Sequence, residues 1–169
     1  MKTIVILAMH GAPPNDFPKH ELAEFFSLYS GPGHISETDS VAPKHRYAEL
    51  EASIRAWPRT EQNDPFYHAS QDLAIHLSRA TGHEVIVGFH EFCAPNLDEA
   101  LGQAITQGVD KVIVITPMMT RGGEHSEVDI AAAVERAKTL HPDIPIIYAW
   151  PFEISEIAQF LASQIARFA

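Results

Sequence analysis

TIVILAMHG (residues 3–11) and KVIVITPMM (residues 111–119) are apolar runs that break abruptly into residues of another kind. Neither run has a polar face. A strand without one is covered on both sides, as in parallel sheets flanked by helices. Glu84 to Phe89 and Pro145 to Ala149 read as two further strands, with Thr3 to Met9 and Lys111 to Thr116 completing four. Helical spacing fills the intervals. Leu97, Ala100, Leu101, Ala104 and Ile105 form one stripe, opened by Asn96 as a cap and closed near Gly108. Ile130, Val134 and Ala137 mark a helix from about Glu124 to Leu140. Ile154, Ile157, Leu161, Ile165 and Phe168 mark the last. Strands alternating with helices require right-handed crossovers, so the pattern predicts an α/β, doubly wound, four-stranded parallel sheet with helices on both faces.

The stretch between the first two strands is longer than a simple crossover. It carries three helical patterns: Leu22, Phe25 and Phe26; then Tyr47, Leu50, Ile54 and Trp57; then Leu73, Leu77 and Ala80. Ser30 to Ala42 has turn composition and reads as a loop. We expect one domain over residues 1–169, with residues 15–65 a long helical insertion after the first strand and a candidate lid.

The chain has 169 residues, enough for one domain with a real core. Its formal net charge of -10 argues against nucleic acid and against an anionic membrane surface as partners. Cys93 is the single cysteine, so no disulfide framework or cysteine zinc cluster is expected. The opening apolar run is too short for a membrane span and lacks a cleavage pattern, so a cytoplasmic location is expected. Histidine is abundant, with 10 copies, and it is both the commonest metal ligand and a proton carrier near neutral pH.

Open α/β sheets bind ligands beyond the carboxyl ends of their strands. Four segments lie there: His10-Gly11-Ala12, His90-Glu91-Phe92-Cys93, Pro117 to His125, and Trp150-Pro151-Phe152. His10 ends a buried strand, where an apolar residue would otherwise sit. His125 follows a glycine pair and lies in the first turn of a helix. Glu91 stands two residues past the apolar part of its strand. These three are the candidate metal ligands and proton acceptors; hydrogen-bonded or solvated strand-end residues are the competing reading. Strand alternation would turn His90 away from Glu91, so it ranks lower. Asp129, four residues beyond His125, could orient that ring, although a solvated helix face explains it as well. Gly122-Gly123 before a helix resembles an anion cradle, but without a P-loop lysine. Met118 could contact a flat apolar ligand or simply fill core. Arg121 is the best-placed cation for an anionic substrate, ahead of Lys19, Lys44, His45 and Arg46 in the insertion.

Three stretches together resemble a known family: VGFHEFCAPNLDEAL (87–101), GVDKVIVITPMMTRGGEHSEVDI (108–130) and HPDIPIIYAWPF (141–152). With MHG after the first strand, they resemble the small class II chelatases, CbiX-like sirohydrochlorin cobalt or iron chelatases related to ferrochelatase. The resemblance covers about residues 1–14 and 82–169. It implies a flavodoxin-like domain, an enzyme of the lyase class, and pairing as a homodimer. It also implies insertion of a divalent metal, cobalt or ferrous iron, into a tetrapyrrole. The metal is then a substrate, nickel is chemically compatible, and no organic cofactor is involved. His10 and His125 map to the metal-site histidines and Glu91 to the strand-end glutamate. Arg121, Gly122, Gly123 and Met118 would contact the tetrapyrrole. HGAPP and the long crossover depart from the shortest members. The alternative function is a non-catalytic carrier of metal or tetrapyrrole with the same histidines.

Overall fold

The computed structural model describes residues 1–29 and 41–169. Four strands, β1 (Thr3–Met9), β2 (Glu84–Phe89), β3 (Lys111–Ile115) and β4 (Ile146–Tyr148), form one parallel sheet in the order β2-β1-β3-β4. The helices are α1 (Lys19–Tyr29), α2 (Val41–Ala56), α3 (Pro65–Thr81), α4 (Leu97–Thr106), α5 (Ile130–Leu140) and α6 (Ile154–Ala166). The doubly wound reading and the helical insertion after the first strand therefore hold. β3 and β4 are shorter at their ends than the apolar runs predicted. The loop expected at Ser30 to Ala42 lies mostly outside the described residues, and α2 has begun by Val41.

The alternation of side chains along β1 divides the core. Ile4, Ile6 and Ala8 face α4 and α5, where Ala100, Leu101, Ile130 and Val134 are fully or almost fully buried. Each buried isoleucine or leucine there contributes about 1.5–3 kcal/mol of transfer free energy. Leu7 and Met9 face the other way, with Val87, Phe89 and Ala74 of α3; Tyr67 stacks on Phe89 at 5.3 Å. At Gly88, an added Cβ would stand 2.9 Å from the Ala100 Cβ, so the glycine lets α4 seat close on β2. A separate cluster of Phe17, Phe25, Leu50 and Ile54 holds the insertion together.

Local chemistry sets the helix starts. Asn96 and Glu99 close a reciprocal capping box at α4, as the Asn96 reading anticipates. Asp64 caps α3 through the Tyr67 N–H at 2.9 Å, ahead of Pro65 in the first turn. The helix expected from Glu124 onward is not uniform. Its first turn, His125–Asp129, is π-helical, and α-helix starts only at Ile130. The last helix also departs from expectation: α6 forms, but none of its residues is buried.

This strand order fixes where a ligand can bind. The chain leaves β1 toward β2 on one side, and β3 continues on the other. The connections therefore diverge at the carboxyl ends of β1 and β3, which opens a crevice there.

Candidate metal centre

His10 and His125 meet at that crevice, with ring centroids 4.7 Å apart and planes at 80°. The turn after β1 places the first ring. Gly11 adopts φ +100, and a Cβ there would lie 1.9 Å from the Glu91 carbonyl oxygen. Only glycine lets the turns after β1 and β2 come so close. The two strand ends stay paired beyond the sheet: the His90 N–H donates to Met9 O and the Glu91 N–H to His10 O, both at 2.8 Å. Glu91 is thereby held so that its Oε2 lies 3.6 Å from His10 Nε2.

Hydrogen bonding settles which ring nitrogens are free. His10 Nδ1 lies 2.8 Å from the Gly11 carbonyl oxygen, which can only accept. In the neutral ring Nδ1 therefore carries the proton, and Nε2 has the lone pair. His125 Nδ1 lies 2.8 Å from Asp129 Oδ2, again an acceptor, and the same tautomer follows. The π-helical turn sets this i,i+4 contact, so Asp129 orients the ring instead of facing solvent.

His90 joins the cluster, contrary to the alternation argument. The strand stops at Phe89, and the chain bends, with Phe92 in the left-handed region at φ 58. The His90 ring lies 4.5 Å from that of His125, and its Nε2 is 3.2 Å from Asp129 Oδ2 and 3.8 Å from Glu91 Oε1. Burial pushes the His90 imidazole below the usual histidine range. The Asp129 and Glu91 carboxylates pull the other way, and His125 and His10 add to the lowering.

Donor atoms of His10, Glu91 and His125 lie within 4.8 Å of one another, as do those of His90, His125 and Asp129. Each trio offers two imidazoles and one carboxylate, a donor set suited to cobalt, iron, nickel or zinc.

The other predicted residues divide. Met118 packs against the main core and also lines a cleft of about 370 Å³ that includes Met119, Thr120 and His125. Arg121 is exposed and has no ion pair among the described residues. The anion-cradle reading of Gly122-Gly123 fails in part, because the Gly122 N–H already donates to Glu127 Oε1 at 2.9 Å. Arg46 is held bidentately by Glu24 at 2.8 and 2.7 Å, so it is no free cation. Cys93 is buried and its thiol is pushed up by burial, as befits a small core residue.

Two arginines escaped the sequence reading. Arg59 donates to the carbonyls of Ala12, Ile54 and Phe92 and pairs with buried Asp64, tying the insertion to both strand-end turns. Arg55 donates to the carbonyls of Cys93 at 2.7 Å and His90 at 3.2 Å. Carbonyl clamps of this kind leave no spacing signature in a sequence.

The chain is similar to known proteins. The CbiX family profile matches residues 62–167. A sirohydrochlorin cobaltochelatase of Priestia megaterium is 33% identical over 70 residues, 41% of this chain and 22% of that one. Another, of Sulfurisphaera tokodaii, is 33% identical over 99 residues, 56% of this chain and 78% of that one. A third, of Methanopyrus kandleri, is 44% identical over 46 residues, 27% and 32% of the two chains. The match thus spans less than a third of two of these three relatives. A solved CbiX protein structure from Marinobacter aquaeolei VT8 superposes with a TM-score of 0.55 at 16% identity, covering 98% of this chain and 94% of that one; the fold is shared.

Proposed function

The chain belongs to the CbiX family, and on that footing we propose that it is a chelatase that inserts cobalt or ferrous ion into sirohydrochlorin or a close tetrapyrrole relative. The observation that carries the reading is the pair of imidazoles, His10 and His125, facing each other across the β1–β3 crevice with both Nδ1 atoms tied to acceptors. In the neutral rings this leaves both Nε2 lone pairs for a ligand, and the donor set includes Glu91.

Metallation exchanges two pyrrole protons for one divalent ion. Neutral imidazoles replace water on the incoming ion and keep it labile enough to leave. The ring nitrogens then take the ion as their protons depart. As the ion leaves them, His10 Nε2 and Glu91 Oε2, 3.6 Å apart, become the proposed acceptors of those protons. Met118 and Met119 in the cleft beside His125 give a soft apolar floor for the macrocycle. Arg121 supplies local positive charge for its carboxylates, which a chain of net charge -10 would otherwise repel at long range. Phe25 and Tyr47 of the insertion line a cavity with Glu91 and Phe92 and wall the site on that side. We also assign the protein a homodimeric state, with the exposed apolar stripe of α6 as the contact.

The test is an anaerobic absorbance assay with sirohydrochlorin and cobalt or ferrous ion. Catalysed metallation should appear with the wild type. His10→Ala and His125→Ala should each lower it by about 100-fold or more, the usual scale for a lost catalytic acid, base or ligand. Rates equal to the spontaneous reaction, with tetrapyrrole or metal still bound, would make the protein a carrier.

A further inference from the structure

His90 takes no part in the metallation step derived above and Asp129 only orients a ring, yet with His125 they bring three donor groups as close together as those of the first trio. Asp129 Oδ2 touches both rings, at 3.2 Å to His90 Nε2 and 2.8 Å to His125 Nδ1. At bonds of roughly 2.1 Å, two donors of one ion stand about 3.0 Å apart in octahedral geometry and about 3.4 Å in tetrahedral geometry. The 3.2 Å pair falls between these edges, and the 2.8 Å pair is the hydrogen bond that an ion would replace.

The charges around it point the same way. His90 and Asp129 line a cavity of about 280 Å³ that also holds Arg55, Asp98 and Arg136. Each of those cations has its own acid: Arg55 pairs with Glu51 at 3.0 Å and Arg136 with Asp98 at 2.9 Å. Asp129 has no Lys or Arg partner among the described residues; its partners are the two imidazoles. This cavity is distinct from the cleft beside Met118 and His125. His125 alone belongs to both trios.

We propose that His90, His125 and Asp129 form a second metal station, which takes a divalent first-row transition ion from the Arg55–Arg136 cavity and passes it through His125 to His10 and Glu91. The ion would use His125 Nδ1 at this station and Nε2 at the first, with the Nδ1 proton released on binding. Two stations let the ion enter from one side of the histidines while the macrocycle lies on the other. The role as a relay rests on the chelatase reading; the ion site itself does not.

The test therefore reads cobalt binding with no tetrapyrrole present. Cobaltous ion is titrated anaerobically into the purified protein, followed by its visible d–d bands and by X-ray absorption, which counts imidazole ligands. The double variant His10→Ala/Glu91→Gln should still bind one ion with two imidazoles. Adding His90→Ala or Asp129→Asn to that background should weaken binding by about 100-fold, with melting curves confirming a folded protein. No binding in the double variant, or binding that survives both added changes, overturns the second station. In an otherwise wild-type protein, His90→Ala should then raise the KM for cobalt at least tenfold and lower kcat by less; equal loss in both overturns the relay. Absence of metallation by the wild type would sink the chelatase reading and leave the cobalt titration to judge the station.

Discussion

Gly11 holds the centre together through what it lacks. Its φ of +100 and the 1.9 Å approach that a Cβ would make to Glu91 O leave no room for any side chain. Gly11→Ala should destabilise the protein by at least about 2 kcal/mol, visible as a lower urea midpoint, because the β1 and β2 turns must separate. Unchanged stability would mean that the turn relaxes freely. Arg59 acts at the same scale from the opposite direction. Its side chain is 7% exposed and that of Asp64 1%, so the pair is buried. Arg59→Met leaves that carboxylate uncompensated and should cost about 3–5 kcal/mol; Asp64→Leu added to it should restore part of the loss. A urea titration of the single and double variants checks both statements. Both His10 and His125 were legible in the sequence because each interrupts a pattern, one at the end of an apolar run and one after a glycine pair. His90 was not, because period-two alternation presumes a strand that continues, and this one ends at Phe89.

The π-helical turn is the element on which the second half of the centre depends. It presents His125 and Asp129 together, and it is braced from β4: the Tyr148 hydroxyl donates to Ser126 O at 2.8 Å. Burial raises the Tyr148 phenol to about 12. The unfolded phenol titrates near 10, so the folded state holds its proton more tightly. The stability this contributes is complete below pH 10 and is lost as pH rises toward 12. Tyr148→Phe should lower stability by about 1 kcal/mol at neutral pH. It should also remove this alkaline decline, so thermal melts of the two proteins should converge between pH 10 and 12. Parallel stability curves across that window would show that burial does not hold the phenol proton, and no offset at neutral pH would show that the brace does not matter. This turn also marks where reading by element runs out. HSEVDIAAAV has ordinary helical spacing, and nothing in it announces one wider turn. The strands were legible because burial on both faces forces continuous apolar runs, and α4 because its capping box is a local device.

At the scale of the whole molecule, α6 is the part that a single copy leaves unfinished. Ile154, Ile157, Leu161, Ile165 and Phe168 form one stripe, yet Ile154 is 76% exposed, Leu161 53%, Ile165 68% and Phe168 82%. Each such side chain gains about 1.5–3 kcal/mol when buried. The sheet has a matching gap, since Ile147 on edge strand β4 is 48% exposed, while Val112, Val114 and Ile146 on the opposite face are covered by the core. A second copy related by a two-fold axis can lay its α6 over this face and receive the same cover in return, an isologous contact that satisfies both surfaces. Charge opposes the pairing, because each copy carries a net -10, and that repulsion is screened by salt while apolar contact is not. Sedimentation equilibrium should therefore find a dimer that tightens as sodium chloride rises from about 0.05 to 0.5 M, where the Debye length shortens from well over 10 Å to a few ångströms. Leu161→Glu with Ile165→Glu should give a folded monomer, since neither residue is buried within one chain. A wild type that stays monomeric at every salt concentration, or a charged variant that still pairs, would remove α6 as the dimer contact.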